Sequence, residues 1–340
     1  MIRPKRHHYV TKAYLDGFLE KNEEQLFCLL RHRLTSFRSL PEKIAFERNY
    51  YAFKNKDGSW NDGAERFFAE KIEEPGLPIL KKLAAGRTRI NWSERNNLAM
   101  LLAVQEFRVP FYRREFSRLH QELTRNIVEA YEAITDRRGL TGYVKMQAGP
   151  EPVRVSIDVL KAELKESADF SKKKELAVLF STAMSLAEIY LHMKWTVHYA
   201  TGEKSFVASD CPVFSIYSSN KGFAALMRTD VEVRFPLARN ALLTLTHDMP
   251  FLEMAAKAST KEAKKMWART PEVRIDNWTD QDVAKANRTH AAHSTTLLLS
   301  GQDLSWATEI MKEPSRNVRM WIEPEGEGYR TKTEIRYTPE

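Results

Sequence analysis

The chain has 340 residues, 43% hydrophobic and 29% charged, with 53 Lys plus Arg against 45 Asp plus Glu for a net charge of +8. A sizeable buried core is affordable at this size, in one large domain or two smaller ones, and the modest basic excess permits contact with phosphate or nucleic acid without demanding it. With only Cys28 and Cys211, no apolar stretch after the basic opening "MIRPKRHH", and a longest central apolar run of "LAMLLAV" (98–104), a disulfide framework, a secretory signal and a bilayer span are all excluded as readings. A soluble cytoplasmic protein with no membrane partner is the expectation.

In chain order, Thr11 can cap a short helix over 12–19 that buries Tyr14, Leu15 and Phe18. "QLFCLLRHR" (25–33) and "NYYAF" (49–53) read as strands, the second followed by an Asp57–Gly58 turn. From about Ala64 the period becomes helical through Phe67, Phe68, Ile72, Leu77, Leu80 and Leu83, with a break or kink near Pro75 and Pro78. The strongest helical signal follows, with Ser93 as its expected N-cap and Pro110 as an expected break, because proline cannot donate to the carbonyl of Glu106. Residues 136–152 are glycine-bearing and read as a loop, and 171–195 as an amphipathic helix with Leu176, Leu179, Phe180, Ala183 and Leu186 on one side.

Beyond Trp195 the texture turns to strands: "WTVHYA", "SFVAS", "VFSIY", "VEVRFPL" and "ALLTLTH". Thr279 with Asp282 forms a capping-box pattern for a last helix running into "TTLLL", and "NVRMWIEP" and "YRTKTEIRY" alternate like two closing strands. The expected class is α+β: one domain over 1–340, with a helix-rich region (60–195) packed on a mainly antiparallel sheet from 196–340 that is joined by strands from 20–55.

Four short stretches carry side chains suited to chemistry. Adjacent His7 and His8 diverge in any regular element, so one can titrate or coordinate while the other packs; alternatively both simply close the docked N-terminal helix by hydrogen bonds. Gln105 and Arg108 share a helix face beside the Pro110 break, an amide and a guanidinium fit for an anionic or planar ligand, or for helix-end carbonyls and an acid such as Glu73. In "FVASDCPVF", Ser209 and Asp210 lie where a strand ends, a rigid place for a catalytic or metal-binding carboxylate or for a turn-capping one, while Cys211 reads as a small buried hydrophobe. Asn287 is an amide in an apolar helix and needs partners, whereas His290 and His293 read as exposed or capping histidines. Walker A, G-x-G-x-x-G, G-x-S-x-G and zinc-type spacings are missing from the sequence.

The order of "HHYVTKAYLDGF", "NYYAF…DGS", "KIEEPGLPILKKL", "LLAVQEFRVP", "FVASDCPV", "VRFPLARNALL" and "ANRTHAAHS" resembles domain of unknown function family 4238 over about residues 5–300. The resemblance sets His7, His8, Tyr9, Gln105, Arg108, Ser209, Asp210 and Asn287 on the family's motif positions. It departs from the family pattern at Thr11, where proline is usual, and at Cys211, where asparagine is usual. It brings no established reaction.

The residue mix implies a hydrolase or nuclease acting on a phosphodiester or nucleotide, with His7, His8 and Asp210 as catalytic groups and Tyr9, Gln105, Arg108, Ser209 and Asn287 as binding groups; a divalent metal could assist. The alternatives are a non-catalytic ligand- or protein-binding module held by a structural polar network, and a nucleic-acid-binding protein without chemistry.

Overall fold

The computed structural model describes residues 6–55, 57–115, 117–118, 143–147, 152–156, 158–159, 162, 172–217, 230–248, 272–315, 319–325 and 328–334. The class is α+β. Strand β1 (Arg6–His8) leads through Thr11 into helix α1 (Lys12–Leu15) and a 3-10 turn (Asp16–Phe18). Thr11 Oγ1 accepts the Tyr14 N–H at 3.1 Å, and Tyr14, Leu15 and Phe18 are buried, as the cap predicts. There follow β2 (Leu26–Leu30), β3 (Thr35–Ser39), β4 (Phe46–Arg48), β5 (Phe53–Lys54) and β6 (Trp60–Asn61). "NYYAF" is thus mostly a bend between β4 and β5 rather than a strand; Asn49, at φ 54°, turns the chain there.

Helix α2 (Gly63–Phe67) passes into a π-helical segment (Phe68–Glu73) and then α3 (Glu74–Ala84), so the irregularity precedes Pro75 and Pro78 sits inside α3. Gly76 lets the next helix approach: a Cβ there would stand 2.8 Å from the Leu101 Cβ. That helix, α4 (Trp92–Phe107), is capped by Asn91, not Ser93, because Asn91 and Glu94 bond each other's backbone N–H at 2.9 and 2.8 Å in a capping box. Pro110 ends α4 as expected, and a new helical stretch begins at 110.

The described part of the expected loop at 136–152 is a hairpin, β7 (Tyr143–Gln147) with β8 (Pro152–Ser156), paired antiparallel from Tyr143↔Ser156 to Gln147↔Pro152; residues 136–142 lie outside the described residues. Helix α5 (Lys172–His192) packs on α4, and its last turn is closed by the buried Arg95, which donates to the carbonyls of Leu191 and Met193 at 2.8 and 2.5 Å with its guanidinium over the Trp195 ring.

Strands β9 (Lys194–Ala200), β10 (Ala208–Ser209), β11 (Phe214–Tyr217), β12 (Val231–Ala238), β13 (Ala241–Thr246) and β14 (Arg274–Trp278) follow, then α6 (Asp280–His293), β15 (Leu297–Ser300), α7 (Thr308–Lys312) and the hairpin β16 (Arg319–Glu325) with β17 (Gly328–Glu334). Thr279 and Asp282 cap α6 as the sequence predicts, but Ser294 ends the helix and "LLLS" is strand, not helix.

A five-stranded sheet has the order β11-β12-β13-β9-β14, antiparallel except for the parallel β9–β14 pair, and a four-stranded antiparallel sheet has the order β10-β15-β2-β3. The N-terminal strands therefore do join the C-terminal ones, at β15. Arg31, just after β2, ties that junction to two helix ends: its guanidinium donates to the carbonyls of Ala291, Ser294, Ile310, Met311 and Glu313. The main core unites α1, α3, α4, α5 and one face of the larger sheet through residues such as Phe68, Leu102, Tyr190, Trp195 and Phe235.

Candidate functional site

Because neighbouring strand residues point to opposite faces, His7 and His8 enter different surroundings. His7 is fully buried; its Nδ1 accepts the Tyr51 N–H at 3.0 Å and its ring stacks on that of Tyr51. His8 is half-buried against Phe46, across the β1–β4 pair. Its Nε2 is buried with no hydrogen-bond partner. Burial lowers the His8 pKa, the Arg108 charge pushes the same way, and the Glu42 carbonyl opposes both.

The Tyr9 carbonyl receives Gln105 Nε2 and Arg108 Nε, each at 2.8 Å, so the last turn of α4 grips the strand that carries the histidines. Arg108 Nη1 meets Glu73 Oε1 at 2.5 Å, and the Tyr50 hydroxyl donates to the Arg108 carbonyl at 2.9 Å, which satisfies a helix-end acceptor near the proline break. Arg108 Nη2 has no partner although the side chain is only 1% exposed. Burial disfavours the cation, but Glu73 with Tyr51 and Glu65 together outweigh it, and the pKa of Arg108 lies above the ordinary arginine value.

Glu73 pairs with this guanidinium and Glu65 lies within range of its charge, and the π-helical segment sets the two acids toward one side. In an uninterrupted α-helix, eight residues turn about 800°, which leaves the two carboxylates about 80° apart. A π segment absorbs one extra residue, so the separation becomes that of seven α steps, within about 20° of one face. Glu65 feels both Arg108 and Glu73, and burial raises its pKa to about 7, with Arg108 opposing and Glu73 adding. The result is a cluster of His8, Arg108, Glu65 and Glu73, with two unpaired buried nitrogens and a carboxyl that titrates near neutrality.

Beside it, Tyr50 is shared with a cleft of about 350 Å³ lined also by Glu47, Arg48, Arg113, Arg114 and Glu175. Arg113 lies 4.0 Å over the Tyr50 ring and holds Glu175 through Nε and Nη2. Arg48 and Arg114 form no ion pair among the described residues.

Ser209, Asp210 and Asn287 gather elsewhere, where β10 meets β15 and α6. Both Asp210 oxygens are occupied: Oδ1 accepts the Thr295 N–H at 2.9 Å, and Oδ2 accepts the Thr296 N–H at 2.8 Å, the Thr296 hydroxyl at 2.7 Å and the Thr295 hydroxyl. Ser209 Oγ lies 2.8 Å from His290 Nε2 and accepts the Cys211 N–H at 3.1 Å. Asn287 clamps one strand edge, donating to the Ser205 carbonyl at 2.8 Å and accepting the Val207 N–H at 3.2 Å. The Tyr9 side chain lies within electrostatic range of Asp210 and Cys211. Burial raises its hydroxyl pKa first, and Asp210 and Cys211 then push it further in the same direction.

A family model described as protein of unknown function, DUF4238, matches residues 6–303. The chain belongs to this family. The match runs from β1 to the turn after β15 and so takes in both clusters. No curated protein and no solved structure matches the chain.

Within the family region, Glu65 escapes a sequence reading because only the π segment turns it toward Arg108. His290 and His293 are buried rather than exposed, since the Phe214 ring packs on both at 4.7 and 4.8 Å. Burial, followed by the neighbouring His293, lowers the pKa of His290 to about 3. A further polar line crosses the larger sheet: His198 Nε2 is 2.9 Å from Thr244 Oγ1 and Nδ1 is 3.2 Å from Asp276, with the Trp278 ring covering the imidazole at 4.1 Å. Among the described residues, no group of three or more His, Cys, Asp or Glu side chains is placed to hold a metal ion, and no helix is long and apolar enough to cross a membrane.

Proposed function

We propose that the His8–Arg108–Glu65 cluster is an acid–base site for hydrolysis of an anionic ester, a phosphodiester or nucleotide being the substrate class. The observation that carries this reading is the pair of buried nitrogens without partners, His8 Nε2 and Arg108 Nη2. A folded protein rarely leaves such groups unsatisfied, and where it does a ligand is a physical reason. Arg108 Nη2 is a donor fixed in place by Nε and Nη1, suited to a non-bridging oxygen of the substrate. In the neutral tautomer protonated on Nδ1, His8 Nε2 takes a proton from water as the water oxygen bonds to phosphorus. Glu65, protonated up to about pH 7, can give its proton to the alkoxide that leaves as the P–O bond breaks. The products are a phosphomonoester and an alcohol. The unpaired Arg48 and Arg114 at the neighbouring cleft support an anionic substrate.

In this reading Asp210 is a clip between β10 and the Thr295–Thr296 entry to β15, and Ser209, Asn287 and His7 hold backbone. Those same occupied groups favour the second reading, a non-catalytic binding module in which the polar network is structural. Turnover of a generic phosphodiester by purified protein separates the two. Hydrolysis lost in His8→Ala and Glu65→Gln, with melting temperature maintained, supports the enzyme; no hydrolysis above that of the variants supports the module.

A further inference from the structure

A pocket of about 180 Å³ lies between the 204–207 segment that enters β10, one face of α6, and the turn that follows β15. It is a shallow cup below the size of a whole drug-like ligand site, so a larger guest would lie partly on its rim. Its floor is apolar, from Val207 and Ala284, and its walls are already fixed by internal bonds. Asn287 uses both ends of its amide on the Ser205 and Val207 backbone. Gln302 does the same, accepting the Ser205 N–H at 3.1 Å and donating to the Glu203 carbonyl at 2.8 Å. Ser300 Oγ accepts the Gln302 N–H at 3.0 Å. These bonds fix the shape of the pocket and hold its amides in place.

What remains unpaired at the rim is cationic and aromatic. Lys204 and Arg288 form no ion pair among the described residues, and Trp306 is 36% exposed. Ala284, Asn287 and Arg288 share one face of α6, because positions three and four apart are neighbours, so the guanidinium stands over the pocket that Asn287 frames. The one acid at the rim, Asp303, is turned to its own chain: it accepts the Ser305 N–H and hydroxyl, and those bonds, the hydroxyl first, lower its pKa. Two unpaired donors of positive charge, an indole platform and a fixed, partly apolar cup are complementary to a flat ring that bears an anionic group.

We propose that this pocket binds a mononucleotide, with the base against Trp306 and the phosphate between Lys204 and Arg288. The site is distinct from the His8 cluster: His8, Glu65, Glu73 and Arg108 are not among the residues that line it. Equilibrium dialysis of the full-length protein against AMP, GMP, CMP and UMP, with inorganic phosphate and a short single-stranded oligonucleotide as further probes, tests it. Saturable binding of at least one mononucleotide below 1 mM is expected, weakened about tenfold or more in Arg288→Glu and in Trp306→Ala. Arg288 is exposed, so its replacement is expected to leave the melting temperature unaltered and serves as the decisive variant if Trp306→Ala unfolds. Mononucleotide binding that is absent at 1 mM, indifferent to Arg288→Glu, or no tighter than that of inorganic phosphate overturns the proposal. Binding confined to the oligonucleotide overturns it in favour of a strand-binding surface.

Discussion

The Arg108 guanidinium meets the Glu73 carboxylate at 2.5 Å, joining the C-terminal end of one helix to the last residue of a π-helical segment in another. Only one arm of the arginine is used in this pair. Nε is fixed on the Tyr9 carbonyl and Nη2 is left without a partner, so the contact aims the guanidinium as well as neutralising it.

Removing the acid should therefore be costly. Glu73→Gln leaves a cation buried with a neutral partner, and a loss of about 2–4 kcal/mol in urea unfolding is expected. A double replacement, Arg108→Met with Glu73→Leu, should recover part of that loss because no charge is stranded. Equal destabilisation in the single and double variants would mean that the pair does not hold the helices together.

Asp210 should behave as a structural clip. Asp210→Asn replaces an acceptor by a donor opposite the Thr295 and Thr296 donors, and about 2–4 kcal/mol of stability should be lost. Any phosphodiesterase activity, normalised to folded protein by circular dichroism, should stay within about threefold. A large fall in activity at unchanged melting temperature would move Asp210 into the chemistry.

Stability should decline on the alkaline side for a nameable reason. Glu106 is buried between Tyr190 and Tyr112, and burial raises its pKa from 4.5 to about 7, against the opposing hydrogen bonds of the two hydroxyls. Between those values the folded state holds a proton that the unfolded state has released. Its contribution is complete below about pH 4.5 and is lost as pH rises through about 7, a change on the order of 2–3 kcal/mol. His290 works in the opposite sense: its pKa falls from 6.5 to about 3, so its contribution is present above pH 6.5 and is lost as pH falls toward 3. In melting curves from pH 4.5 to 8, Glu106→Gln should flatten the decline and be at least as stable as the native chain at pH 8. Parallel curves for the two proteins would show that Glu106 does not titrate in the fold.

Local signals in the sequence carried most of the architecture. Thr11 and Thr279 sit at the start of helices with their bonding partners three residues on, so their caps are legible; Ser93 was the wrong cap because the Asn91–Glu94 pair two residues earlier satisfies two N–H groups at once. "TTLLL" continues the polar-to-apolar rhythm of α6 but is drawn into β15 by pairing with β2, more than 260 residues away in sequence. The Arg108–Glu73 pair was legible as an arginine at a helix break in search of an acid. Glu65 was not, since its orientation depends on a π segment that no local periodicity announces. Nor was the Asp210 clip, whose Thr295 and Thr296 partners lie 85 and 86 residues on, or the burial of His290, which needs Phe214 from another strand.

The most direct test of the acid–base cluster is the pH–rate profile of phosphodiester hydrolysis for the native chain, His8→Ala and Glu65→Gln. Neutral His8 as base and protonated Glu65 as acid should give a bell, with an acid limb below the ordinary histidine range and an alkaline limb near pH 7. His8→Ala should remove the acid limb and Glu65→Gln the alkaline one, each with a fall of at least about 100-fold at the optimum. A native profile without either limb, or limbs that persist in both variants, would contradict a catalytic role for this cluster.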